Sequence, residues 1–128
     1  MNRLTLICTL FLSAALFSSP SSAAWTEVAD NLKGDIFYLD YDRIRKHGGY
    51  VYYWRLLDYL QPTEYGDLSS KVYEQGDCKL FRSKPLSYSY HDEPMGGGTG
   101  GVDNIPDENW TYPSPDSVGE ILLTAVCK

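Results

Sequence analysis

His91, Asp92 and Glu93 form the densest run of metal-ligating side chains in the sequence. A bound ion needs donors that converge on it, and three consecutive residues point apart. The other histidine, His47, is distant in sequence, so the run reads as a solvated strand end and no metal site is expected. Gly96, Gly98 and Gly101 fit G-x-G-x-x-G. A dinucleotide fingerprint must follow a strand and open a helix. Here Pro94 precedes the glycines and Asn104-Ile105-Pro106 follows, which leaves a loop or a tight backbone crossing. No G-x-S-x-G nucleophile elbow occurs. Asp107 and Glu108 are adjacent carboxylates in a loop, where they read as solvated. No catalytic residue is assigned and no cofactor is expected, so the chain reads as a non-enzyme.

The cysteines carry more. Arg3 opens the chain and an apolar run from Leu4 to Phe17 follows, too short to cross a bilayer. Small residues then lead to Ser22-Ala23-Ala24. This is the pattern of a signal peptide over residues 1–24, cleaved before Trp25. The rival reading is an uncleaved anchor. Cys8 follows Ile7 inside the apolar run, so it does not fit a lipidation site, and no lipid anchor is expected. No second apolar run is long enough to span a membrane. Cleavage removes Cys8 and leaves Cys78 and Cys127 in an oxidising compartment, where they are expected to pair. An intermolecular bridge or a shared metal are the alternatives. Closing a loop of about 50 residues is worth roughly 4 kcal/mol in the chain-entropy model.

Arg43, Arg45 and Lys46, with Arg55, are basic residues in an acidic chain of formal net charge -6. Loss of Arg3 with the signal peptide makes that about -7. They stand close to Tyr50, Tyr52 and Tyr53, and a patch of Arg and Tyr is the composition favoured at protein interfaces. The blander reading is a solvated turn beside tyrosines that cover the core. Either way, a net acidic chain disfavours general nucleic-acid binding. Trp110 reads as a core plug.

These residues need elements to hold them. Ile36 to Tyr41 reads as a strand, and Asp40 to Lys46 as one Asp-capped helical turn with Ile44 inward. Gly48-Gly49 reverses the chain. Tyr50 to Leu60, apolar on both faces, predicts a central strand ended by Pro62 and Gly66. Ser69 to Glu74 and Lys79 to Tyr90 predict a hairpin around Gln75-Gly76-Asp77. Leu86, Tyr88 and Tyr90 face one way and Ser87, Ser89 and His91 the other, with Pro85 at an edge or bulge. Glu93 to Pro115 reads as a long loop. Val118, Ile121, Leu122, Ala125 and Val126 then form a helical stripe, and Ser117 with Glu120 a capping box. Strands followed by one amphipathic helix predict an α+β fold, an antiparallel sheet of five to six strands with the C-terminal helix on one face.

Several segments resemble the surface-adhesin protein E family. They are Trp25-Thr26-Glu27-Val28, Ile44-Arg45-Lys46, Gly48-Gly49-Tyr50-Val51-Tyr52 with Trp54, and Asp58-Tyr59. Asp77-Cys78-Lys79, Pro94-Met95-Gly96-Gly97-Gly98, Trp110, Ser117-Val118-Gly119-Glu120 and Val126-Cys127-Lys128 complete the set. Their order covers nearly all of residues 25–128. The resemblance implies an antiparallel sheet, a C-terminal helix and a Cys78–Cys127 bond. It also implies a protein partner of the host matrix or serum type, such as vitronectin, laminin or plasminogen. Two roles follow as expectations. One is an exported, adhesin-like binding module. The other is a structural or accessory protein of the cell envelope, held in the periplasm.

Overall fold

The computed structural model describes residues 24–104 and 108–128. The expected signal peptide therefore lies almost wholly outside the described residues. The strands are β1 (Thr26–Asp30), β2 (Ile36–Leu39), β3 (Arg45–His47), β4 (Tyr50–Asp58), β5 (Ser69–Asp77), β6 (Arg82–His91) and β7 (Val102–Asp103). One helix, α1 (Val118–Val126), follows them. The strands form a seven-stranded antiparallel sheet in the order β1-β2-β4-β5-β6-β7. The remaining strand, β3, pairs with β4. Since β5 occupies one edge of β4, β2 and β3 share the other edge end to end, β2 along Arg55–Asp58 and β3 along Tyr50–Tyr52.

The 3-10 turn between them spans Tyr41–Arg43, with the Asp40 carboxylate accepting from the Asp42 amide at 3.2 Å. The cap agrees with the sequence, but the turn is shorter than expected. Ile44 is already extended (φ -75°, ψ 129°), and Arg45 and Lys46 enter β3 instead of a helix. Pairing with Tyr52 and Val51 satisfies their backbone groups, which a single isolated turn could not do.

The hairpin turn also moves. β5 continues through Gln75-Gly76-Asp77, and the chain reverses over residues 78–81. Asp77 Oδ1 accepts from the amides of Lys79 and Leu80 at 3.1 and 3.2 Å, an Asx-type turn. Gly76 is there for packing: a Cβ on it would come within 2.8 Å of Val51 Cγ1 and 3.1 Å of Leu123 Cδ1. Its bare backbone lets the helix settle on the sheet. Pro85 does sit at a bulge, since Glu74 pairs with Pro85 and Tyr73 with Ser87. β1 lies in a segment to which the sequence reading assigns no element, and β7 with a 3-10 turn (Pro94–Gly96) before it lies inside the expected long loop from Glu93 to Pro115.

Helix α1 is capped by Ser117 Oγ, which accepts from the Glu120 amide at 3.2 Å. The Glu120 carboxylate reaches back to the Asp116 amide at 3.4 Å, one residue ahead of the cap. The buried stripe is Leu122, Leu123 and Val126, and Ile121, assigned inward by sequence, is 44% exposed. Leu123 takes the inward place because it packs on Gly76 and Val51. These helix residues join Leu39, Val51 and Tyr53 in the core. Burying each large apolar side chain contributes about 1.5–3 kcal/mol. The Cys78–Cys127 disulfide, with Cα atoms 5.6 Å apart, ties the end of α1 to the turn after β5.

A cationic aromatic face as candidate binding site

A strand sends alternate side chains to opposite faces, and the register decides which residues meet. On the helix side lie Tyr53, Glu74 and Pro85 in one cross-strand row and Arg55, Val72 and Tyr88 in the next. The other face carries the row Arg45, Tyr52, Gln75 and Lys84, one residue from each of β3, β4, β5 and β6. Beside it stand Trp54 and Tyr73, stacked at 4.9 Å, with Tyr73 also 6.2 Å from Tyr52. Tyr50 stacks on Trp110 at 5.7 Å. Arg82 and Lys84 lie over the Trp110 ring, 4.2 and 4.7 Å from its centroid. Cations at that distance are attracted by the ring quadrupole. All five rings are half-buried, so each keeps part of its surface in water.

Two anchors keep this face in place. Arg82 Nε donates to Asp77 Oδ2 at 2.9 Å. Burial alone would raise the Asp77 carboxyl, but the Arg82 bond and the Leu80 and Lys79 amides outweigh it and hold the carboxyl below its ordinary value. The same bond holds Arg82 above its own. At the far end, Ser69 Oγ donates to the Glu93 carbonyl at 2.6 Å and accepts from the Gly96 amide at 2.8 Å. This folds the glycine segment against Leu56 and Lys71. Gly98 has φ +68°, and a Cβ there would run into Asp92 Oδ1, so the glycines serve a tight backbone crossing. His91 Nε2 is shared with Ser89 Oγ at 2.8 Å. Among the described residues no three His, Cys, Asp or Glu side chains converge as metal ligands.

The patch singled out from sequence is divided by the sheet. Arg45, Tyr50 and Tyr52 are on the open face. Lys46 shares its face with Val51, under the helix end, and lines a hollow beside Cys78 and Cys127. Tyr53 is 2% exposed and belongs to the core, where burial and then Glu74 push its hydroxyl well above the ordinary tyrosine value. Arg43 lies next to Trp25, Trp54 and Lys71, with its Nε 3.4 Å from Asp40 Oδ2. Arg55, which the sequence groups with these cations, turns to the helix side and pairs with Glu74 at 2.8 Å. Trp110 is not a core plug; it builds the open face. Tyr73, Lys84 and Trp110 were not predicted there. The shared parity of Tyr52 and Trp54 hints at an aromatic face, but nothing local shows that Tyr73 meets them.

An antiparallel sheet capped by one C-terminal helix on one side, with an aromatic face left open on the other, defines an α+β protein of the helix-on-sheet class. The chain belongs to the surface-adhesin protein E family, whose model matches residues 25–128. Its fold is similar to that of Haemophilus influenzae protein E. One crystal form superimposes with a TM-score of 0.64 at 15% identity, covering 83% of this chain and 88% of that one. A second structure of that protein gives 0.62 at 15% identity, covering 83% and 85%. No curated protein sequence matches this chain.

Proposed function

We propose that this chain is an exported, adhesin-like module that binds a protein through its open sheet face. Family membership supports a protein partner and a place of work outside the cytoplasm. The observation that carries the reading is the row Arg45, Tyr52, Gln75 and Lys84 beside the Trp54–Tyr73 stack. Tyrosine and tryptophan supply contact area at low entropic cost, and arginine supplies directional donors. On a chain of net charge -6, a cationic face steers an acidic partner surface toward itself. A host matrix or serum protein of the vitronectin, laminin or plasminogen kind is the partner class the family suggests. The chain is read as having no catalytic role, and as unanchored by lipid once residues 1–24 are removed.

The test is quantitative binding of the purified protein to matrix, serum and envelope proteins across salt concentrations. Replacing Arg43, Arg45 and Lys46 together by Ser should weaken binding and flatten its salt dependence. Arg45→Ser alone should reproduce most of the loss and Lys46→Ser little, because the two side chains leave on opposite faces. Unchanged affinity of the triple variant at every salt concentration would remove this face from the proposal. Cell fractionation addresses the role itself: an adhesin must be found on the surface or in the medium, whereas retention in the periplasm favours an accessory envelope role.

A further inference from the structure

All 3 tryptophans of the chain lie on the open side of the sheet, and none belongs to the core cluster. Trp25 and Trp54 line one hollow there, Trp54 stacks on Tyr73, and Trp110 stacks on Tyr50. Indole rings left half in water, away from the core, mark an interaction surface. Cations stand at both ends of this aromatic strip. At one end, the hollow of about 120 Å³ is lined by Trp25, Asp40, Arg43, Trp54 and Lys71. At the other, Arg82 and Lys84 lie over Trp110. Lys71 and Gln75 are both on β5, and Lys84 pairs with Gln75 from β6. Strand rise and spacing then put the Lys71 and Lys84 backbones about 14 Å apart. Among the described residues neither lysine forms an ion pair. The carboxylates on the same side are occupied. Asp77 holds Arg82 at 2.9 Å, Asp40 is 1% exposed beside Arg43, and Asp58 accepts from the Met95 amide at 2.8 Å. The strip is therefore positive on a chain of net charge -6.

The strands beneath it narrow the choice of anion. β4 and β5 are paired along both edges, so their main-chain groups are spent. None is left for the backbone of an acidic peptide. Sugar hydroxyls need only side-chain partners, such as Gln75 and the Tyr52 hydroxyl. A pyranose ring has flat C–H faces that lie on aromatic rings, while its anionic substituents leave from the ring edge. The hollow has the volume of about four waters, enough for a sulfate group. We propose that the open face binds a sulfated, uronate-containing polysaccharide of the kind found in a host matrix. One sulfate would enter the hollow against Lys71 and Arg43. The sugar rings would cross Trp54, Tyr73 and Tyr52, and further anions would meet Lys84 and Arg82. Sulfation is favoured over carboxylates alone because cations set this closely call for a densely charged chain. The host source follows from membership of a surface-adhesin family.

This ligand rests on the reading of the open face as a binding face, but not on a protein partner. The experiment is an NMR titration of the purified protein with a heparin hexasaccharide, followed at the tryptophan indole N–H signals. A hyaluronan hexasaccharide, which has carboxylates but no sulfate, and poly-L-glutamate, which has carboxylates but no sugar ring, are the comparison arms. The expected result is saturable shifts at all three indoles with heparin, and affinity roughly tenfold lower in both comparison arms. Lys71→Gln with Lys84→Gln removes two cations that hold no ion pair, so the fold is kept. Heparin should bind this double variant roughly tenfold more weakly. Lys33→Gln, which removes one charge from a loop outside the face, should leave binding unchanged. No saturable shift with heparin would overturn the proposal. Equal affinity for poly-L-glutamate would mean charge attraction alone and would overturn it, as would undiminished binding by the double variant. Equal affinity for hyaluronan would overturn the sulfated class. If heparin fails while a matrix protein still binds and Tyr52→Ala weakens it, this ligand falls and the protein reading stands. Heparin binding with no protein partner found would support the ligand and remove the protein reading.

Discussion

Tyr52 and Tyr53 are adjacent in β4 and leave the sheet on opposite faces: Tyr52 stands 6.2 Å from Tyr73 in the open, while Tyr53 is 2% exposed beneath α1. One residue of offset separates a group on the open face from a core group. Tyr53→Ala should destabilise the protein by about 3–5 kcal/mol, the cost of emptying a large buried site. Tyr52→Ala should cost only about 1 kcal/mol, the scale of a lost cross-strand aromatic pair. It should weaken partner binding at the same time. Urea unfolding of the two variants checks the contrast, and similar losses would contradict it.

Removing the Cys78–Cys127 bond should loosen α1 first. The cross-link joins residues 49 apart in sequence, which the chain-entropy model values at about 4 kcal/mol. The double variant Cys78→Ser, Cys127→Ser should therefore melt at least about 15 °C lower. Hydrogen exchange should show protection lost in α1 before the β4–β5 pairing. A melt unchanged by the double substitution would contradict this account.

His91 should make stability depend on pH. Burial, and then the nearby Lys71 ammonium, lower its pKa, against weaker opposing effects of Asp92 and the Gly97 and Gly98 backbone. The folded state thus resists a proton that the unfolded chain accepts near pH 6.5. The stabilising contribution is complete above that pH and is lost as pH falls through the lowered folded value. Urea midpoints measured from about pH 7.5 to about pH 5 should decline, and His91→Asn should flatten that part of the curve. The Asp77 carboxyl, also held low, adds a separate loss below its ordinary value near pH 3.8.

Intact mass of the protein from its native host tests the proposed start of the mature chain. Cleavage before Trp25 removes residues 1–24 and with them Arg3 and Cys8. A mass matching residues 25–128 with two hydrogens missing would fit both the cleavage and the disulfide. A full-length mass, or one increased by a lipid, would contradict the proposed export route.

Much of the fold is written in local patterns. The β-branched and aromatic run of Tyr50–Asp58, the cap at Ser117, the Asp40 cap and the bulge at Pro85 each rest on chemistry within a few residues, and each is legible in sequence. Both cysteines could be matched once Cys8 was set aside with the signal peptide. What the sequence by itself determined was therefore the α+β class, the main elements and the disulfide. The candidate site was legible only in part. Arg45, Tyr50 and Tyr52 were found because they are close in sequence, but so were Lys46 and Tyr53, which the sheet sends the other way. Tyr73, Lys84 and Trp110 join the face through strand register and a loop crossing, and Leu123 displaces Ile121 because Gly76 leaves room for it. Those placements belonged to the tertiary structure alone. Periodicity states which residues share a face within one strand, but which strands lie side by side, and in what register, is decided by the packing of the whole sheet against its helix.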